Sequence, residues 1–320
     1  MLSRRVLRIK AMQAVYTFSL AGNDNLGDAD RRMMAYIEKI HDLFIYQLSV
    51  LAEIVDVSAG IIETGKQKYF PTEEEKNPNL RFINNRLVRA ISDHPDYKRR
   101  RDALKINWSE DKDIIRNLFI EIRDTEEFEA YMNSAEDSFA SDARFIINAF
   151  AGIIAESEEL KLFYEEKNVN WVDDFDFANL IVNKTLIDLS KSNGKMVALP
   201  SLFSEDPEEE AEDRKFVHDL FMKTVIHSEK FDKMIEGKVQ NWEIERIALM
   251  DLILIKMAIC EFTQFPSIPV KVTINEYIEI SKMYSTPKSK LFINGILDNL
   301  VPELTELGLM KKTGRGLRDS

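Results

Sequence analysis

At 320 residues, 45% hydrophobic and 31% charged, the chain has core material for two globular domains and is not a disordered or fibrous polymer. Only 11 Gly and 9 Pro, with no alternating strand pattern and no NG or DG turn set between strands, point to an all-α protein. A net charge of −12 argues against a generic nucleic-acid coat, and a single cysteine excludes an intramolecular disulfide or a Cys-cluster metal site.

The distribution of charge says more than its sum. Residues 1–22 hold Arg4, Arg5, Arg8 and Lys10 and no acid, whereas residues 204–213 hold seven acids in ten. Such asymmetry permits one local basic surface on an acidic body. The N-terminus is positive but has no uninterrupted apolar region, so it does not read as a signal peptide, and a cytoplasmic protein with no membrane contact is expected.

Leu2, Val6, Ile9, Tyr16 and Leu20 recur at helical spacing and predict a helix over 2–20. Arg4, Arg5 and Arg8 fall on one arc beside its apolar face. With no acid nearby in sequence, their guanidinium groups are expected to be unpaired and to face water, where they suit phosphate. A merely solvated helix face fits this feature equally well. Gly22 and Asn23 stop the helix.

A long amphipathic helix follows over 30–65, with Gly60 a candidate kink, then a linker over 65–79 carrying two prolines. Helices are predicted over 80–92, from the basic run Lys98–Arg101, over 109–133 and 134–166, and up to Leu189. Residues 190–213, with SNG, two prolines and the acidic run, read as an exposed loop and a domain boundary. A further helix spans 213–236. At an offset of 71, residues such as Phe145, Phe150, Ser157, Asn170 and Trp171 recur as Phe216, Phe221, Ser228, Asn241 and Trp242. This fits either a decayed duplication or a chance match between amphipathic helices.

The stretch Trp242–Glu261 is the organising element. From Ile247 to Ile259 nearly every residue is apolar, and a helix apolar on all sides is one that others surround. Asp251 and Lys256 interrupt the run, so it is no membrane span. Cys260 is read as a small core residue without chemistry. Pro266 and Pro269 frame a turn before an amphipathic helix over 270–284. Thr286-Pro287 reads as N-cap and first residue of the last helix. Gly295 is expected to let two helices approach closely. The basic, Gly-containing tail 306–320 is expected to be disordered.

No constellation for catalysis stands out. No G-x-G-x-x-G, P-loop, G-x-S-x-G or H-E-x-x-H motif occurs. His41, His94, His218 and His227 lack metal-ligand spacing, and Asp173, Asp174 and Asp176 lack the Gly and closing Glu of a calcium loop. No cofactor or metal is therefore expected. Tyr284 and Phe292 flank a helix start that carries Lys288 and Lys290. A helix N-terminus attracts phosphate and aromatic rings stack on unpaired bases. Spacing alone favours the alternative, with Phe292 in the core and Tyr284 at a helix junction. Asn275 and Glu276 read first as residues holding a helix turn, and the basic segment 81–105 as a solvated surface.

The blocks IPVKVTINEYIEISKMY and LFINGILD, after MDLILIKMAICEF, resemble the C-terminal part of the NusB transcription antitermination family, and RRVLRIKAMQAVY (4–16) resembles its arginine-rich first helix. The resemblance covers residues 1–22 and 213–302. It implies an all-α, NusB-like two-subdomain helical bundle with an inserted helical domain. The corresponding segments are 1–24 and 205–305 for the core, 25–204 for the insertion and 306–320 for a basic tail. It implies a non-enzymatic factor that binds single-stranded boxA-type RNA of ribosomal RNA leaders together with the ribosomal protein NusE, within the transcription elongation complex. Arg4, Arg5, Arg8 and Tyr16 match the RNA-binding helix, and Tyr284, Lys288, Lys290 and Phe292 the second RNA-facing junction. Asp251 and Lys256 match polar positions near the RNA and partner surfaces. Pro287-Lys288 stands where the family usually has two acids, Leu291 where it often has Lys, and Leu252 where an Arg is frequent. A protein-protein scaffold without RNA affinity is the alternative. A methyltransferase carrying a NusB-like domain would need an α/β domain that is absent from this pattern.

Overall fold

A computed structural model describes residues 2–22, 25–204, 206–238 and 247–317. Among them every regular element is a helix. The chain divides into two compact units, a core unit of residues 2–37 and 203–320 and a middle unit of residues 38–202. The first division falls inside a helix rather than at the loop after Gly22 where the sequence suggests a boundary.

In the core unit, α1 (Arg4–Ala21) is capped by Ser3, whose Oγ accepts from the Val6 amide. The acidic run after Asp206 is not a loop. Asp206 caps α11 (Pro207–Ile226), Pro207 takes its first position, and Glu208, Glu209 and Glu210 occupy its first turn. Proline without its N–H and carboxylates near the positive helix end both suit a helix start. His227 separates α11 from α12 (Ser228–Glu236). The central helix is α13 (Leu249–Gln264); Trp242 and its neighbours to residue 246 lie outside the described residues. Ten of its residues are buried, including Leu254, Ile255, Met257 and Ile259, each worth about 1.5–3 kcal/mol of apolar burial. It packs against α1, α11, α12, α14 (Val270–Tyr284) and α15 (Ser289–Glu306).

The middle unit begins with residues 38–66 of α2 (Leu26–Lys66), a single continuous helix. α2 is the one described helix long and apolar enough to cross a membrane, but its apolar stretch, including Leu43, Phe44, Ile45 and Leu48, is core. The indole N–H groups of Trp108 and Trp171 donate to Ser49 Oγ and to the Lys39 carbonyl, each at 2.9 Å. The short helices α3 (Glu73–Lys76), α4 (Arg86–Ser92), α5 (Pro95–Ala103), α6 (Lys112–Arg123) and α7 (Glu126–Asn133) follow. Then come α8 (Phe139–Ala149) with a π-turn over Phe150–Ile154, α9 (Glu158–Lys167) and α10 (Phe175–Lys191). The predicted helix over 80–92 starts only at Arg86, because Asn85 caps it through the Leu87 and Val88 amides.

Shifted by 71, α8, α9 and α10 fall on α11, α12 and α13, with starts within three residues. α8 packs on α10 as α11 packs on α13. The two stretches share this helix order, but α11 has no π-turn, and Asn241 and Trp242 lie outside the described residues.

Candidate nucleic-acid interface

The arginines of α1 are not the unpaired groups that local sequence suggests. Arg4 donates through Nε to Asp213 at 3.1 Å, lies 3.6 Å from Glu212, and stacks 5.2 Å from the Phe216 ring centroid. Arg5 holds Glu276 of α14 with both Nε and Nη2, at 2.9 and 2.8 Å. The side chains of Arg4 and Arg5 remain 40% and 43% exposed, so both still border solvent. Arg8 is 3% exposed and grips Glu261 of α13 at 2.6 and 3.0 Å. Its partners come from distant sequence, which is why a local reading misses them.

Glu261 is fully buried and also accepts from Tyr277 at 2.9 Å and from Thr273 at 3.0 Å. Burial disfavours charge on Arg8, but Glu261 more than offsets it and lifts the guanidinium above its ordinary pKa. Arg5 likewise lowers the pKa of Glu276 by hydrogen bonding. The result is an ion pair inside the core at Arg8 and a half-exposed pair at Arg5. Arg8 is almost wholly buried and held by Glu261, so of the three only Arg4 and Arg5 offer exposed guanidinium surface. Tyr16, 37% exposed, stands farther along α1.

The second region is the α14–α15 junction. Asp251, 5% exposed, accepts from Ser285 Oγ at 2.5 Å and from Ser289 Oγ at 2.8 Å. Ser289 Oγ in turn accepts from the Thr286 amide. The last helix therefore begins at Ser289, after Lys288, and not at Thr286-Pro287. This Asp-Ser-Ser clasp fixes the junction from beneath, while Lys288 and Lys290 are exposed and Tyr284 and Phe292 half-buried around it. Tyr284 lies about 12 Å along α14 from Glu276, the partner of Arg5. Gly295 is no close-approach residue: a Cβ there would meet nothing within 4 Å. Asp251 and Lys256, expected near an RNA or partner surface, are turned inward. Lys256 donates to Ser228 at 2.9 Å and to Asp232 at 2.8 Å, tying α13 to α12.

The tail is ordered as far as it is described. Lys312 Nζ donates to the Glu261 and Phe265 carbonyls, both at 3.1 Å, and burial pushes its pKa down to about 8. These carbonyls close α13 and also accept the Phe265 and Ile268 amides, each at 3.2 Å, so the lysine adds a charged donor at the negative end of the helix. The Thr313 amide donates to the Pro266 carbonyl at 2.9 Å, and a short 3-10 turn covers Gly314–Leu317.

Elsewhere most basic side chains of the segment 81–105 have partners within the middle unit. Arg81 donates to the Ser134 and Glu136 carbonyls and Arg86 pairs with Asp137; Lys98 pairs with Asp93 and Arg101 with Glu53. No group of three His, Cys, Asp or Glu residues able to hold a metal occurs among the described residues. Sequence reasoning missed Glu261, Asp213 and Arg315. The usable signal is the carboxylate itself: a Glu closing an apolar helix needs a cation, and the arginine-bearing first helix supplies it.

Fold and site together define an all-helical protein in which an arginine-bearing first helix is clamped onto a buried central helix. A model of the NusB family matches residues 178–302. The transcription antitermination protein NusB of Salinibacter ruber is 41% identical over 137 residues, which is 42% of this chain and 86% of that protein. The protein of the same name from Koribacter versatilis is 38% identical over 118 residues, 37% of this chain and 80% of that one. That from Chloroherpeton thalassium is 37% identical over 118 residues, 37% of this chain and 56% of that one. No solved structure matches. The chain belongs to the NusB family. The family match starts within α10 and leaves out the first helix, so it is packing that joins α1 to the matched helices.

Proposed function

We propose that this protein is a transcription antitermination factor, not an enzyme, that works in the cytoplasm as part of the elongation complex. Its core unit binds single-stranded boxA-type RNA of ribosomal RNA leaders together with a NusE-like ribosomal protein. The observation that carries this reading is the pairing of Arg5 with Glu276. It seats the basic start of α1 on the same helix, α14, that ends in Tyr284 beside Lys288, Lys290 and Phe292. Arg4 and Arg5 supply phosphate contacts and the two rings supply stacking surfaces. The names of the relatives support the process.

Stacking is worth about 1–3 kcal/mol per base, so Tyr284→Ala and Phe292→Ala should each weaken boxA RNA binding by roughly 5- to 150-fold. Arg4→Ala should weaken it less selectively and lower the dependence of log K on log salt by about 0.7, the share of one phosphate. Unchanged affinity in all three variants rejects this surface. The pairing of Arg4, Arg5 and Arg8 with carboxylates favours a second reading, a protein-protein scaffold without its own RNA affinity. NusE binding that persists with no salt-sensitive RNA signal selects it.

A further inference from the structure

A cleft of about 590 Å³ opens at the start of α1 and is lined by Arg4, Arg5, Arg8, Glu276 and, from the tail, Arg315. Asp213 and Glu276 occupy the Nε side of Arg4 and Arg5, and Arg8 is held by Glu261. Arg315 differs from these three. Its side chain is exposed and makes no hydrogen bond or ion pair with the described residues, yet the backbone that presents it is fixed on both sides. Upstream, Lys312 and Thr313 bind the end of α13 and the turn after it. Downstream, buried Gly316 lies so close to that turn that a Cβ would collide with the Pro266 carbonyl oxygen. Side-chain entropy normally leaves an exposed arginine unplaced. Here the backbone is anchored on both sides of one guanidinium that shares its cleft with Glu276 but makes no hydrogen bond to it. A planar fork of donors in a cleft walled by other guanidinium groups suits a tetrahedral oxyanion.

We propose that residues 312–317 form a strap that completes a phosphate site on the RNA-binding face, with Arg315 contacting a backbone phosphate of the bound single strand directly. This rests on the RNA-binding reading above and extends its surface from α1 and the α14–α15 junction to the tail. The shared chemistry is a phosphate group, whether in an RNA chain or free in solution.

The test is a titration of the full chain with a boxA-type RNA oligonucleotide at several salt concentrations, for the wild type, Arg315→Ala and Gly316→Val, with inorganic phosphate as a separate probe. Arg315→Ala should lower affinity by 3- to 10-fold at low salt and reduce the salt slope by about 0.7. Gly316→Val keeps the charge but cannot keep the close approach to Pro266, so it should reproduce both effects. The double variant should lose no more than either single one. If the wild type binds RNA and both variants keep its affinity and slope, the strap has no phosphate and this inference falls while the RNA-binding reading stands. If the variants lose binding of inorganic phosphate but not of RNA, the cleft is a small-anion site and the inference falls as well. A wild type with no salt-sensitive RNA affinity overturns both readings at once.

Discussion

Replacing Arg8 by Met should loosen the core unit far more than any other change in the α1 arginines. Glu261 is fully buried and receives two hydrogen bonds from Arg8, one from Tyr277 and one from Thr273. Met fills most of the Arg8 volume, so the loss is electrostatic rather than a cavity. Two hydroxyl donors remain to hold a carboxylate in a low-dielectric core. Removing one partner of such a pair costs about 3–5 kcal/mol. Cys260, the single cysteine, reports on the same helix: it is buried next to Glu261, and burial raises its thiol pKa to about 12. Reaction of that thiol with a disulfide reagent at pH 8 therefore requires α13 to open. At about 1.4 kcal/mol per decade, Arg8→Met should accelerate labelling by roughly 10²- to 4 × 10³-fold if opening is global in the core unit. Arg5→Ala breaks a half-exposed pair with Glu276, worth about 0–1 kcal/mol, and should accelerate it less than about fivefold. Pairing Arg8→Met with Glu261→Met removes the stranded charge and should recover much of the loss. A tenfold or smaller effect of Arg8→Met, or no recovery in the double variant, would refute the reasoning.

His41 lies in the middle unit with Nε2 3.2 Å from the Pro200 carbonyl and Nδ1 3.5 Å from Arg100, an arrangement that wants a neutral ring donating from Nε2. Burial and the Arg100 charge push its pKa down to about 4 from 6.5. The stability this gives is complete above pH 6.5 and is lost as pH falls toward 4, by up to about 3 kcal/mol. Hydrogen exchange of amides 40–50, followed from pH 7 to 4.5, should show this loss in the wild type and a smaller one in His41→Gln; equal losses contradict the assignment. Asp251→Asn should cost about 2 kcal/mol by weakening the Ser285–Ser289 clasp. It should also weaken RNA binding without altering the salt slope, and a changed slope would place Asp251 at the phosphates instead.

What the sequence made legible follows from range. α13 announced itself because its apolar run has no polar face, and α1 because Leu2, Val6 and Ile9 mark a stripe. The three arginines looked equivalent because they share an arc. Only packing sorts them, since Arg8 meets a glutamate 253 residues away. Composition makes residues 190–213 look like a loop, whereas position decides: Asp206 and Pro207 are start signals for α11. Gly and basic content suggest a disordered tail, yet Lys312 binds the carbonyl end of α13 and Gly316 is the residue that close approach demands. Asp251 and Lys256 were visible as polar interruptions, but spacing does not tell an outward contact from an inward clasp. The expected segments part at 24/25, while the compact units divide at 37/38, inside α2.

The central claim is that α1, the α14–α15 junction and the tail act as one RNA-facing surface on the core unit. Hydrogen exchange with and without saturating boxA-type RNA reads this directly. Residues 3–8, 284–292 and 312–317 should gain protection together, with the middle unit's helices α8 and α10 unchanged. Protection confined to the middle unit, or at one of the three segments without the others, would contradict it.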